Sequence, residues 1–433
     1  FPAAAYALDW RLSVNSLTNP IGALLGIFIF VPFFRLKAKT TAFEYLHGRF
    51  GVGARVYGSI SFLIAQVIRL GSILYLMSLP LTMITGLDPV WIMLFVGVFV
   101  SIYTVLGGMS AVVWTDVVQA ITLYIGGAAT VIVIIFKTPG GLGNLVSTAA
   151  ADNKFSFGPM HWAWDDRTFW TLFLMGMTQA LYAYSADQTV VQRYLAASSE
   201  REARKATLVC GALSLPTWLF FTLIGTLLYS FYKLLPDPVV AGLVVDDIFP
   251  YFIINVLPVG ITGLVLAGLL SAAMSSLSTS LNSFATVLTV DLVRPYLWKD
   301  KADHQYAVMA RWITLAAALV MIGVALIFFH TEKESFKDLM FRMSAIFGGV
   351  MLAFFMLAFF APHVHKRALW ISFAISMLIN LYLLLVEWQI APNLLPIKFH
   401  IYWISVLVNA SMFFLAVVLS WIIPRPSERE VKA

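Results

Sequence analysis

Hydrophobic positions in this chain come in long unbroken runs, not in the alternation of strands or the narrow stripes of surface helices. A run of about 20 apolar residues crosses roughly 30 Å of hydrocarbon as a helix. Eleven such segments are predicted, at about 12–34, 53–84, 90–107, 110–136, 167–186, 203–233, 258–292, 307–330, 340–361, 368–386 and 398–423. They must be helical, because lipid gives irregular backbone no hydrogen-bond partners. The expected fold class is an all-α polytopic membrane protein. The opening FPAAAYALDW has too few apolar residues to span and no basic n-region, so residues 1–10 read as a helix stub whose start is absent. No Gly/Ser linker, repeat or low-complexity tract follows, and 1–433 is taken as one transmembrane domain.

The polar connections give orientation. Lys and Arg concentrate in alternate loops: Arg35, Lys37, Lys39, Arg49 and Arg55; Arg193, Arg201, Arg204 and Lys205; Arg294, Lys299 and Lys301; Lys366 and Arg367; Arg425, Arg429 and Lys432. These loops are expected on the cytoplasmic side, with the C-terminal tail inside. That accounts for most of the net charge of +6 and pI near 9.2, so nucleic acid is not an expected partner. Composition agrees, since 60% hydrophobic and 12% charged residues with a mean hydropathy of +0.87 exclude a water-soluble globule. The 34 Phe, 13 Trp and 16 Tyr exclude disorder. A single cysteine, Cys210, excludes an internal disulfide framework and any multi-cysteine metal site.

Ionisable residues and clustered hydroxyls inside spans carry the functional signal, because each is costly in hydrocarbon unless it faces protein or water. Arg69 lies sixteen residues from one end of its span and fifteen from the other, about 20 Å of helix on either side and beyond snorkelling reach. It must face the bundle interior, where with Gln66 one turn away it suits a carboxylate or, equally, a structural ion pair. Asp116 lies about a turn and a half inside its span, shallow enough to stay hydrated and ionised. In SAAMSSLSTSLNS (271–283), the helical period aligns Ala272, Ser275, Ser276 and Thr279 with Ser278 beside them. Such an oxygen surface suits a hard cation, although small and hydroxylated residues also let helices pack closely. Arg342 enters its span by only a few residues and either snorkels or reaches a cavity. Glu387 reads as a solvated helix end, His363 and His365 as a turn, and Gly107-Gly108 as a tight turn. Asp187 and Arg193, where a span gives way to an interfacial helix, are structural or gating.

Four segments, FVPFFRLKAKTTAFEYLHGRFG, YTVLGGMSAVVWTDVVQ, SADQTVVQRYLAA and AGLLSAAMSSLSTSLNSFATVLTVDL, closely resemble the sodium:solute symporter family. The resemblance covers essentially the whole chain. It implies a LeuT-like pair of inverted five-helix repeats with sites at the midplane. It implies one sodium site whose second-repeat half is Ser275, Ser276 and the Ala272 carbonyl, the other half coming from backbone of the first broken helix, and a second site, as in sialic acid carriers, made by Asp116, Ser275, Ser278 and Thr279. Arg69 matches the arginine that anchors the substrate carboxylate in those carriers. Ser16 falls where they have a glutamine, and Arg342 lies near a position used by sugar carriers. The first span and most of the first broken helix of such carriers are absent from this sequence, and without them the chain is expected not to transport.

The implied function is sodium-coupled import of an organic anion, foremost sialic acid, by alternating access, with a neutral sugar, a polyol or another carboxylate as the alternative. The setting is a bacterial inner membrane, and a monomer is the expected working form. A transporter-like sensor is disfavoured by the short tail after Trp421, which holds no output domain. An enzyme is disfavoured by the lack of an intramembrane dyad, metal motif or nucleophile elbow.

Overall fold

The structure, a computed structural model, describes residues 2–37, 40–330, 349–394 and 398–424. The chain runs through α1 (Pro2–Ala7), α2 (Trp10–Lys37), α3 (Ala42–Phe50), α4 (Val52–Thr85), α5 (Pro89–Lys137), α6 (Gly141–Ala151), α7 (Phe169–Ser185) and α8 (Gln188–Ala196). It continues through α9 (Glu200–Leu234), α10 (Val245–Asn255), α11 (Val259–Leu297), α12 (Asp303–His330), α13 (Met351–Phe360), α14 (Lys366–Glu387) and α15 (Tyr402–Ile422). Among the described residues, the eight helices α2, α4, α5, α9, α11, α12, α14 and α15 are long and apolar enough to cross a bilayer. Helix α5 contains two of the predicted segments, because Gly108, at φ 58° and ψ −158°, turns the backbone between them. Side chains exclude that region, so the turn needs glycine. Helices α7 and α13 run through the segments predicted at 167–186 and 340–361, the latter described only from residue 349.

One predicted span is less regular than the pattern suggests. Asp9 accepts a hydrogen bond from the Arg11 backbone N–H at 3.0 Å and starts α2 on a 3-10 turn at Trp10–Ser13, two residues ahead of the expected start. A wide π turn at Gly26–Phe30 follows.

The order of elements repeats. A long helix (α2), a short surface helix (α3), a long helix (α4) and the two arms of α5 are echoed by α9, α10, α11, α12 and α13. The crossings that separate the two series are α2, α4, both arms of α5 and α7, an odd number, so the second series runs through the bilayer in the opposite sense. Helix α11 packs along α5 and α4, and α12 along α4 and α5, which places the hydroxyl-rich helix at the centre of the bundle. Leu70, Leu74, Met93, Val100, Leu277 and Met321 form the core between these helices. A second core joins α2, α3, α7, α13 and α15 through Phe30, Phe34, Phe43, Tyr184, Phe355 and Val408.

A polar junction ties the ends of four helices. Thr41 and Glu44 form a capping box that starts α3. The Thr41 hydroxyl, itself fully buried, donates to Asp291 at 2.9 Å, and Arg55 Nε donates to the same oxygen at 2.7 Å. Gln188, the first residue of α8, accepts from the Ala42 N–H at 2.8 Å and donates to the Thr40 carbonyl at 3.1 Å. The Asp291 side chain is 0% exposed, so removing its cation strands a charge. Arg55→Met is therefore expected to lower unfolding free energy by about 3–5 kcal/mol, and the double change with Asp291→Leu to recover most of it. Thermal unfolding in detergent checks both, and equal losses in the single and double variants would rule this account out.

Candidate functional site

The site begins at a helix break. Helix α7 ends at Ser185, and Asp187 caps α8 by accepting from the Thr189 N–H at 2.8 Å and the Thr189 hydroxyl at 2.7 Å. A carboxylate held at a helix N-terminus also meets the positive end of the helix dipole. The far end of α8 is closed by Arg35, whose Nη1 donates to the Tyr194 carbonyl at 3.1 Å and the Ala197 carbonyl at 2.7 Å. Helix α8 is thus a short, separately capped rod beneath the break.

A cavity of about 580 Å³ opens against this break, lined from α2, α4, α7, α8, α9 and α11. Arg69, Ser16, Ser275, Ser276 and Thr279 all line it, so tertiary structure brings both halves of the sequence-predicted site to one hollow. Arg69 is exposed in the middle of a 34-residue helix, and the cavity is what exposes it. Among the described residues its guanidinium has no hydrogen-bond or ion-pair partner. A structural ion pair is therefore not its use among these residues.

The remaining candidates take different places. Gln66 is buried, is not among the cavity's lining residues, and leaves Oε1 without a hydrogen-bond partner among the described residues. Ser278 is fully buried outside the cavity lining, its hydroxyl donating to the Ser275 carbonyl at 3.2 Å. Ala272 is half-buried one turn before Ser275 and Ser276 on α11. Arg342 lies outside the described residues.

Asp116 has more partners than hydration alone. Ser275 Oγ donates to its Oδ1 at 2.6 Å and Thr279 Oγ1 to its Oδ2 at 3.4 Å. Arg193, from α8, donates to Oδ2 at 3.0 Å and to Thr279 Oγ1 at 3.1 Å. A carboxylate and two hydroxyls thus converge beside the cavity with a guanidinium over them. Gln192, the neighbour of Arg193, bonds Ser283 at 3.0 Å and Thr286 at 3.1 Å, so α8 is fastened along α11.

Several lining residues escaped the sequence reading: Asn15, Asn19, Gln179, Thr189 and Trp218. The signal the sequence offers for the amides is the cost of any polar group inside a span. Gln179, exposed well inside α7, carried it.

The profile of the sodium:solute symporter family matches residues 1–375. The chain belongs to that family. As a symporter it couples a solute to sodium across a membrane and is not an enzyme. It is similar to the sodium/sialic acid symporter SiaT of Proteus mirabilis (strain HI4320), at 30% identity over 378 residues, 87% of this chain and 76% of the relative. It is also similar to the sodium/sialic acid symporter NanT of Aliivibrio fischeri (strain ATCC 700601 / ES114), at 30% identity, with 85% and 73% covered. The structure superposes with a TM-score of 0.88 and 27% identity on the substrate-bound outward-open state of a Na+-coupled sialic acid symporter, covering 99% of this symporter and 86% of that one. Inward-facing Mhp1, at 15% identity and a TM-score of 0.54 over 100% of this chain and 90% of its own, shows the shared LeuT-like fold.

Proposed function

We propose that this symporter imports a sugar acid of the sialic acid type together with sodium, with Arg69 holding the substrate carboxylate. The observation that carries this reading is the Arg69 guanidinium, unpartnered among the described residues, in a cavity whose other wall is the hydroxyl stripe of α11. A planar fork of donors recognises a carboxylate through two parallel hydrogen bonds, which a neutral sugar does not offer. The relatives SiaT and NanT are sodium/sialic acid symporters, which supports the same substrate.

Sodium is a hard cation and takes hydroxyl, carbonyl and carboxylate oxygen. One ion is assigned to Ser275, Ser276 and the Ala272 carbonyl. A second is assigned to Asp116, Ser275 and Thr279, and Ser278 completes that set only by rotating its hydroxyl off the Ser275 carbonyl. Coupling requires that sodium bind the outward and inward states with different affinity, because equal binding shifts no population. Two sodium ions with one monoanion carry a net positive charge inward, which gains about 2.3 kcal/mol per 100 mV. The symporter acts as a single membrane domain and a monomer, in a bacterial inner membrane with its C-terminus in the cytoplasm.

Uptake of labelled N-acetylneuraminate by proteoliposomes, with the protein carrying its first span and first broken helix, is the test. Accumulation is expected under an inward sodium gradient and is expected to rise with an inside-negative potential. Equal uptake when potassium replaces sodium would reject the proposal.

A further inference from the structure

The Arg69 guanidinium deals with one end of a ligand and leaves most of the cavity without an assigned task. On the wall made by α2 and α7, Asn15 Nδ2 donates to Gln179 Oε1 at 2.9 Å, and both residues line the cavity. The contact is fixed from behind. A Cβ on Gly176 would lie 2.7 Å from both the carbonyl oxygen and Oδ1 of Asn15, so α7 seats on Asn15 only because residue 176 is glycine. Asn15 is thereby held between Gly176 and Gln179 and turns its NH2 group to Gln179. With its oxygen engaged, Gln179 is left with its own NH2 group, two donors that have no acceptor among the described residues.

Preset donors in a site that sheds water discriminate strongly. A ligand that supplies oxygen to them gains hydrogen bonds, and one that does not leaves desolvated donors unmatched. The cavity of about 580 Å³ is also far larger than a short aliphatic acid needs. Asn19, Thr189 and Ser16 add polar groups to the lining, beside the apolar Ala183 and Val190.

We infer that Gln179, positioned by Asn15, is the specificity-determining residue that binds hydroxyl or acyl oxygen at the end of the substrate remote from its carboxylate. The symporter then selects hydroxylated acids and discriminates against plain short carboxylates. This inference rests on the sugar-acid reading of Arg69.

The test is a thermal-shift titration of the purified protein in sodium chloride with N-acetylneuraminate, gluconate and propionate. The wild-type protein is expected to bind the two hydroxylated acids at least tenfold more tightly than propionate. Gln179→Leu is expected to reduce that ratio at least tenfold while leaving propionate affinity unchanged, and Asn15→Ala to reduce it by a smaller factor. Gln179→Met, similar in length and without donors, repeats the measurement should Leu unfold the protein. A ratio unchanged in both Gln179 variants overturns this inference and leaves the role of Arg69 standing, as does a wild-type protein that binds propionate equally well. The absence of any acid-induced shift in the wild type would overturn both.

Discussion

Arg69→Lys is expected to raise the half-saturating concentration of the carboxylate substrate by about tenfold to a hundredfold, or roughly 1.4–2.8 kcal/mol of binding free energy. The charge is kept, so the loss isolates the geometry of the planar fork. The effect should be large because Arg69 has no competing partner among the described residues: its donors are free to be spent on the ligand. It should also be selective. Sodium-induced stabilisation measured without substrate is expected to persist, since Arg69 is not among the residues bonded to Asp116. Direct binding measurements across a set of acids and neutral sugars check this. Indifference of acid affinity to the change would transfer the proposal to a neutral sugar or polyol.

Asp116→Asn is expected to raise the sodium concentration for half-maximal uptake at least tenfold and to reduce the sodium cooperativity of uptake toward that of a single ion. The Asp116 carboxylate supplies the only formal negative charge among the residues assigned to the second ion, and its hydroxyl partners are neutral. Ser275→Ala, which touches both assigned ions, should weaken sodium dependence by a comparable factor. Arg193→Gln is expected to move sodium affinity the other way. In the structure its guanidinium sits 3.0 Å from Asp116 Oδ2, where its charge competes with a bound cation. Half of the Arg193 side chain is exposed, at 46%, so water screens part of that competition and the gain should be smaller than the loss in Asp116→Asn. Sodium titrations of uptake or of thermal stability separate the three variants. A rise in the sodium requirement of Arg193→Gln would show that its bond closes the site rather than competes for it.

The contribution of sequence differs from place to place in the chain. The helical runs, the Gly107-Gly108 turn and the mid-span Arg69 were all legible, because hydrocarbon penalises exposed backbone and unsolvated charge wherever they occur. The serine stripe was legible because helical period is local. The irregular start of α2 was not, since it depends on one side chain, Asp9, reaching back to the Arg11 N–H. The amide pair was missed because Asn15 and Gln179 are 164 positions apart, and neither stands out until Gly176 lets their helices touch.

Hydropathy and polar cost along one chain were sufficient to establish a helical membrane carrier with a cationic and a hydroxylated element inside it, because burial in lipid constrains each residue by its own solvation. Whether those elements meet was decided by tertiary structure. The packing of α4, α7 and α11 around a helix break made a common cavity of Arg69, Ser275 and Gln179, and swung Arg193 onto Asp116. Contacts between groups on different helices depend on how the helices are arranged, and solvation of the separate segments carries no information about that.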